Sequence, residues 1–76
     1  MIKFHLTVTK QSAEANPGRR WYDKGATYDK RNAIGRAVEL SGRYHTARVK
    51  GIDTDSLELK FHQSYQGGEM VKDFLS

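Results

Sequence analysis

The sequence predicts an α+β fold in which a single helix packs on one face of a four- to five-stranded, mostly antiparallel sheet (β-β-α-β-β-β). Three observations lead to this prediction: an alternating N-terminal segment, one amphipathic helical segment, and a series of short alternating segments separated by turns. A helix and a sheet that are each apolar on one side bury those sides by packing together. The other face of the sheet is then expected to remain open.

The first two predicted strands form a hairpin. Met1–Thr9 alternates apolar and polar side chains, which is the period of a half-buried strand. The sequence Asn-Pro-Gly-Arg at residues 16–19 places Pro and Gly at the central positions of a type II turn. Arg20–Thr27 is expected to pair back on the first strand, with Gly25 as a bulge. Trp21 is expected to pack in the core or against a helix end, and the alternative is a stacking platform for bases or an anchor for a protein partner.

Asp29–Ser41 is the predicted helix. Asp29 is a suitable N-cap, and Gly42 is expected to end the helix in the left-handed conformation. At about 100° per residue, the apolar and the charged residues separate onto opposite sides. The inner side is expected to contain Ala33, Ile34, Ala37, Val38, Leu40 and Ser41, and the exposed side Arg36 and Arg43, with Arg31 on its flank.

Three short strands are predicted after the helix. Arg43–Ile52 alternates, with Ala47 and Val49 facing inward, and Gly51 is expected to shift the phase so that Ile52 is also buried. The remaining chain is expected to contain a turn at 53–56, a strand with Leu57, Leu59 and Phe61 facing inward, a turn at 64–68, and a strand over Glu69–Leu75.

Basic residues are concentrated in the first two thirds of the chain. The net charge is +4, but residues 1–50 contain 11 Lys and Arg against 4 Asp and Glu, whereas residues 51–76 contain 2 against 5. Such a basic end attracts phosphates or acidic protein surfaces. The chain has no cysteine and no apolar run long enough for a membrane span. We therefore expect a single compact domain over 1–76 that is cytoplasmic and has no membrane partner.

The residues offer little support for catalysis or metal binding. No serine lies in a Gly-flanked elbow, and the acidic residues after position 50 fall mostly in predicted turns or on outward strand positions. His5 and His62 are both expected on the open face, where they would meet if their strands are neighbours, but their spacing matches no structural zinc pattern. We therefore expect no enzyme, no metal site and no cofactor.

The basic surface is the candidate binding site. Arg36 and Arg43 are seven residues apart and stack along the outer side of the helix, with Arg31 beside them. Guanidinium groups bind phosphate or carboxylate through two parallel hydrogen bonds, and a tyrosine adds a stacking platform. The further candidates lie on the hairpin, after the helix and on the open face: Arg19, Arg20, Lys24, Tyr44, Arg48 and Lys50. The alternative is that these charges only solvate the surface.

The segment that runs from the helix into the next strand, DKRNAIGRAVELSGRYHTARVKGID, resembles small phage-encoded anti-CRISPR proteins, in particular type I-F inhibitors. The shared pattern is a basic helix with paired alanines, an aromatic-His pair, and a strand that ends in Ile-acid. The resemblance covers about a third of the chain. Residues 16–27 and the Gly67-Gly68 turn depart from it.

This resemblance implies a non-enzymatic inhibitor in the cytoplasm of a bacterial host. Such a protein docks on a host ribonucleoprotein, the CRISPR surveillance complex, and blocks its binding of DNA by competing with DNA or contacting it. By position, Arg31, Arg36 and Arg43 would make the contact. Two alternatives stay open: a direct, weakly specific nucleic-acid-binding module, and a structural or oligomerising module. The oligomeric state is left open as well.

Overall fold

One helix and five strands make up the computed structural model, which describes residues 1–76. The sheet has the order β2-β1-β3-β4-β5, and every pair of neighbouring strands is antiparallel. The elements are β1 (Ile2–Thr9), β2 (Tyr22–Thr27), α1 (Lys30–Arg43), β3 (Thr46–Asp53), β4 (Leu59–Gln66) and β5 (Glu69–Asp73). The predicted α+β fold, with one helix on one face of an antiparallel sheet, is confirmed.

The helix connects two parallel strands that flank the N-terminal strand. Because β1 is antiparallel to both β2 and β3, those two strands run in the same direction, and α1 crosses from one to the other. The rest of the chain is a meander of β3, β4 and β5. Since α1 contacts all five strands, it covers one face of the sheet and leaves the other without a second layer of secondary structure.

The core between α1 and the sheet is made mostly of small and medium side chains. Ala33 and Ala37 are fully buried on the helix and let its backbone lie close to the sheet. Ile34 and Leu40 pack at the margins of this core, and Val38 is partly exposed. The buried residues of the core are Phe4, Leu6, Val8, Ala33, Ala37, Ala47, Val49 and Tyr65.

Gly51 makes room for an aromatic pair in this core. The rings of Phe4 and Phe61 meet edge to face, with 5.7 Å between their centroids. A Cβ on Gly51 would lie 2.9 Å from Phe4 Cε1 and 2.9 Å from Phe61 Cβ. The glycine is therefore required by packing, and it does not shift the phase of the strand as expected, because Ile52 pairs opposite Lys3 and stays outside the core.

The helix begins as predicted and ends later than predicted. The Asp29 side chain accepts hydrogen bonds from the backbone N–H groups of Arg31 (3.0 Å) and Asn32 (3.3 Å), which confirms the N-cap. Gly42 is helical, so the predicted left-handed stop is wrong. The turn between β4 and β5 supplies the missing donors, because Gly67 N–H donates to the Ser41 carbonyl at 3.3 Å and Gly68 N–H donates to Ser41 Oγ at 2.8 Å.

The hairpin contains the predicted bulge. Gly25 has a φ of 98°, and the register between β1 and β2 shifts at this point. The turn at 16–19 is closed by a hydrogen bond from Arg19 N–H to the Asn16 carbonyl at 3.1 Å. Gly18 lacks the positive φ that a type II turn needs, so the predicted turn type is wrong.

Arg36 is not the exposed surface residue that the helical pattern predicts. Its guanidinium is half-buried, and its Nη2 donates a hydrogen bond of 2.7 Å to the Lys24 carbonyl in the bulge of β2. Lys24 lies where the pairing of β1 and β2 is interrupted, and the arginine supplies a donor to its carbonyl from the helix. Arg36 thus ties α1 to the hairpin.

Two leucines predicted to face inward in the fourth strand are exposed. Leu57 is 77% exposed and has a φ of 61°, in a tight loop where the Asp53 carboxylate accepts N–H groups from Asp55 and Ser56. Leu59 is 41% exposed. The pairing between β3 and β4 shifts between Gly51 and Ile52, and the inward alternation of β4 therefore starts only at Phe61. The same strand continues to Gln66, which brings Tyr65 into the core where a turn was predicted.

The space around Gly51 and around Gly35 predicts the effect of replacing each glycine by alanine. Gly51→Ala forces apart the Phe4–Phe61 pair and should destabilise the protein by about 1–3 kcal/mol, the usual cost of overpacking. Gly35→Ala, on the exposed side of the helix with no atom within 4 Å of the added Cβ, should stabilise it by up to about 1 kcal/mol. Urea unfolding measures both; a Gly51→Ala variant as stable as the wild type contradicts the packing argument.

Arg36 and Arg31 of the helix make different contacts, so we expect their substitution to change the stability of the protein differently. Arg36→Met breaks the bond to the Lys24 carbonyl and should lower the free energy of unfolding by about 1 kcal/mol or more. Arg31→Met removes an exposed side chain that makes no ion pair or side-chain hydrogen bond, so we expect a change within about 0.5 kcal/mol. Equal unfolding midpoints for the two variants would show that the Arg36 contact contributes nothing.

Candidate nucleic-acid interface

The face of the sheet opposite α1, called the open face here, carries two rows of polar and basic side chains. One row aligns His5, Lys50 and His62 across β1, β3 and β4. The next row aligns Thr7 and Arg48, followed by Ser64 and Lys72. These residues alternate with the buried side chains of the core, and therefore project away from the helix.

Arg48 lies at the centre of the open face between two aromatic rings. Its guanidinium carbon is 4.4 Å from the centroid of the Trp21 ring and 5.0 Å from that of Phe74. Trp21 immediately precedes β2, and Phe74 immediately follows β5. The backbone N–H of Phe74 donates to the His62 carbonyl at 2.9 Å, which holds the end of the chain against the sheet. Both rings thus reach the same cation from opposite edges.

The stacking continues beyond Arg48 in both directions. The guanidinium of Arg19 lies 4.8 Å from the Trp21 ring centroid, and the His62 ring stacks on Phe74 at 4.0 Å between centroids. We call this series the cation–aromatic row; its members in order are Arg19, Trp21, Arg48, Phe74 and His62. Cation–π and stacking contacts of this kind align planar groups on a surface. The row corrects the prediction for Trp21, which is neither in the core nor at a helix end.

The positive charge of the row is not neutralised within the protein. Arg48 forms no ion pair, no hydrogen bond in the protein uses its guanidinium, and its Nε is buried without a partner. Burial, followed by repulsion from Arg19, lowers the pKa of the Arg48 guanidinium. The buried Nε2 of His62 also lacks a partner. Two polar groups of the open face are therefore oriented without a hydrogen-bond partner in the chain.

The helix offers less free charge than the sequence suggests. Of its three predicted contact arginines, Arg36 is bonded to the hairpin backbone, and Arg43 forms an exposed ion pair with Glu39 at 3.0 Å. Only Arg31 is exposed without such a contact. The structure does not bring these arginines together with Arg48, because helix and open face lie on opposite sides of the sheet.

The other sequence candidates divide between the two faces. Arg19, Arg48 and Lys50 belong to the open face. Arg20 instead lies over the Tyr22 ring at 5.4 Å from its centroid. Lys24 and Tyr44 form a separate pair, with 5.0 Å between Nζ and the ring centroid. The Lys24 ammonium beside the phenol stabilises the phenolate and so lowers the pKa of Tyr44.

The two open-face histidines do not meet. His5 and His62 pair with Lys50 from opposite sides, so β3 separates them by two strand spacings, or about 10 Å. No group of three or more His, Asp or Glu side chains is arranged to hold a metal ion. The two rings are therefore too far apart to bind one metal ion together.

Phe74 is the functional candidate that sequence reasoning missed, whereas His62 was expected on the open face. Phe74 was placed inside a predicted strand over Glu69–Leu75, whereas β5 ends at Asp73 and leaves the ring free to turn onto the open face. The signal that would have joined His62 to Arg48 is the register, because His62 is opposite Lys50 and two residues from Ser64, the neighbour of Arg48. A single sequence does not supply that register.

The chain was compared with known proteins by sequence and by structure. No protein-family model, no curated protein and no solved structure matches it. The resemblance to type I-F inhibitors therefore stays an expectation. The only helix is α1, which is too short and too polar to cross a membrane.

The environment of His62 predicts how stability depends on pH. Burial, and then the positive charges of Lys50 and Arg48, hold the pKa of His62 below its usual value of 6.5, while Asp73 opposes the shift. The unfolded chain therefore binds the proton more readily, and the free energy of unfolding falls as the pH drops through 6.5 towards the lower folded-state pKa. We expect the urea midpoint to decrease between about pH 7.5 and about pH 5.

His62→Gln provides the control for this prediction. The amide retains polarity but does not titrate, so the decrease over the same range should be smaller than in the wild type. Asp53 and Asp73, whose pKa values are lowered by hydrogen bonds to their carboxylates, act only at more acidic pH. Parallel pH profiles for wild type and variant would contradict the assigned origin of the effect.

Proposed function

We propose that this protein is a binding module for single-stranded nucleic acid and that the strand lies on the open face. The observation that carries the proposal is Arg48, a half-buried guanidinium between Trp21 and Phe74 with no acidic partner in the chain. A phosphate accepts two parallel hydrogen bonds from such a fork. The two rings fix the plane of the fork, so little side-chain entropy is lost when the phosphate binds.

The energetics of Arg48 favour a role in binding over a role in folding. A partly buried charge without a counter-ion carries a desolvation cost that an apolar side chain of similar length avoids. Its cation–π contacts offset part of this cost. Arg48 is central on the open face and does not improve the stability of the protein. Residues of this kind are typical of functional sites, where function and stability conflict.

The surroundings of Arg48 favour a flexible single strand. Aromatic rings and cations alternate along the cation–aromatic row, and single-strand binders combine stacking platforms with positive charge in this way. Four spacings of about 4.8 Å between five strands make the face about 19 Å wide, enough for a few nucleotides. Lys50, Lys3 and Lys72 supply further charge on the same face. The helix α1 is less suited to reading the major groove of a duplex, because two of its three arginines are occupied by contacts within the protein.

A second candidate is the docking inhibitor that the resemblance implies, with a host nucleic-acid-handling complex as its partner. It is favoured by exposed aliphatic side chains in the C-terminal third of the chain, which nucleic acid would not use. Leu57 is 77% exposed and Val71 is 52% exposed. Exposed apolar surface is one feature of contacts with proteins. Co-purification of one host complex after nuclease treatment, together with loss of its DNA binding, supports this candidate.

Arg48→Met tests the first proposal, because it separates binding from stability. We expect the variant to unfold at the same or a higher urea concentration than the wild type. Its affinity for a fluorescein-labelled oligothymidylate of about ten nucleotides should fall by about tenfold or more. Fluorescence anisotropy over a salt series measures the affinity, and the loss of one phosphate contact should lower the slope of log K against log salt by about 0.7.

Arg31→Met is the matched control for the helix. It removes the same charge from the opposite side of the molecule, so the affinity should change little. A large loss with Arg31→Met and none with Arg48→Met would move the interface from the open face to α1. If the wild type binds no oligonucleotide, the first proposal is wrong.

A further inference from the structure

A polar cavity of about 240 Å³ adjoins the end of the cation–aromatic row. Arg19 belongs to both, because its guanidinium stacks on Trp21 and also lines the cavity. The volume is below that of sites for drug-sized ligands, which begin at about 300 Å³. It suits a single planar group of the size of one base. The lining residues are Ser12, Ala13, Glu14, Arg19, His45 and Gln66.

One wall of the cavity is held by a buried hydroxyl. Thr46 is fully buried, and its Oγ1 lies 2.7 Å from His45 Nδ1 and accepts a hydrogen bond of 3.1 Å from Gln66 Nε2. The hydroxyl proton of Thr46 has no other acceptor in the protein, so it is best satisfied by donation to His45 Nδ1. The ring proton of neutral His45 is then on Nε2, which makes this nitrogen a donor.

The opposite wall is held by the loop between β1 and β2. Arg19 Nη1 donates to the Gln11 carbonyl at 3.2 Å, and the backbone N–H of Asn16 donates to the Ser12 carbonyl at 3.0 Å. Glu14 lies within this closed loop and forms no ion pair, although Arg19 lines the same cavity. Its carboxylate is therefore available to accept hydrogen bonds from a ligand.

The groups left unused define the ligand that would fit. The acceptors are the two carboxylate oxygens of Glu14 and the side-chain oxygen of Gln66, whose amide nitrogen is already bonded to Thr46. The donors are His45 Nε2 and the remaining N–H groups of Arg19. A complementary ligand needs two adjacent N–H donors for the carboxylate and at least one acceptor for the cationic side.

Guanine has this arrangement, and the other bases do not. Its N1–H and its 2-amino group are adjacent donors that match the two oxygens of a carboxylate, and its O6 and N7 are acceptors. Adenine and cytosine offer one exocyclic amine beside a ring nitrogen whose lone pair would face the carboxylate. Uracil and thymine offer a single N–H between two carbonyl groups. The ring lone pairs and carbonyl groups of these bases would repel the Glu14 carboxylate, whereas guanine can pair with both of its oxygens.

We propose that this cavity binds a guanine base of the strand and gives the protein a preference for guanine-containing single strands. This inference rests on the proposed function, because the base reaches the cavity from a strand lying on the cation–aromatic row. Glu14 is the residue that determines the specificity, and Arg19 joins the base site to the phosphate site. Thr46 is a positioning residue that orients His45 and Gln66.

The test compares oligothymidylate with the same oligomer in which one central thymine is replaced by guanine or by hypoxanthine. We expect the guanine oligomer to bind about tenfold tighter or more, since one bidentate pair discriminates between bases by such a factor. Hypoxanthine lacks the 2-amino group and should lose most of this gain. Glu14→Gln should abolish the preference and leave the affinity for plain oligothymidylate unchanged or slightly increased.

Glu58→Gln is the matched control, because it removes one exposed negative charge just before β4, at the far end of that strand from Gln66, and should preserve the preference. If plain oligothymidylate binds but guanine adds nothing, the cavity inference is wrong and the proposed function stands. If no oligonucleotide binds, the proposed function fails. The cavity inference is then tested alone, by NMR titration with guanosine monophosphate. Chemical-shift changes of Glu14, His45 and Gln66 that uridine monophosphate does not cause support the inference, and the absence of such changes overturns it.

Discussion

One helix covers only one face of a five-stranded sheet, and the rest of this structure depends on that constraint. The covered face is closed by a thin core in which Ala33, Ala37 and Gly51 let the elements lie close together. The uncovered face has no second layer of secondary structure, so its polar and aromatic side chains pack against one another. Trp21 and Phe74 come from the two edges of the sheet and meet at Arg48 in its centre. In the proposed function, this asymmetry separates a face for stability from a face for binding.

The parts of the fold that were predictable from sequence are those with a strong local period. The alternation of β1 and the amphipathic pattern of α1 each require one apolar partner, and the only economical arrangement is the observed one. The Asp29 cap and the Gly25 bulge are local as well. The end of the helix was not predictable, because a turn distant in sequence, Gly67-Gly68, supplies the donors for Ser41.

The candidate site was predicted in composition and not in arrangement. Arg48 and Lys50 follow from alternation in β3, and their basic character is evident. The pairing of Arg48 with Trp21 and Phe74 depends on the sheet order and on where β2 begins and β5 ends, which no local pattern determines. Arg36 shows the converse. The helical period predicts that it is exposed, but it donates a hydrogen bond to the Lys24 carbonyl in the bulge of β2 and is part of a structural contact.

The side-chain Nε–Hε resonance of Arg48 tests most directly the claim that the open face binds phosphate through this guanidinium. Titration with unlabelled oligothymidylate should shift this resonance strongly, together with the indole N–H of Trp21, while the Nε–Hε resonance of Arg31 on the helix stays in place. Saturable shifts confined to Arg31 and its neighbours on α1, with Arg48 unchanged, would contradict the account.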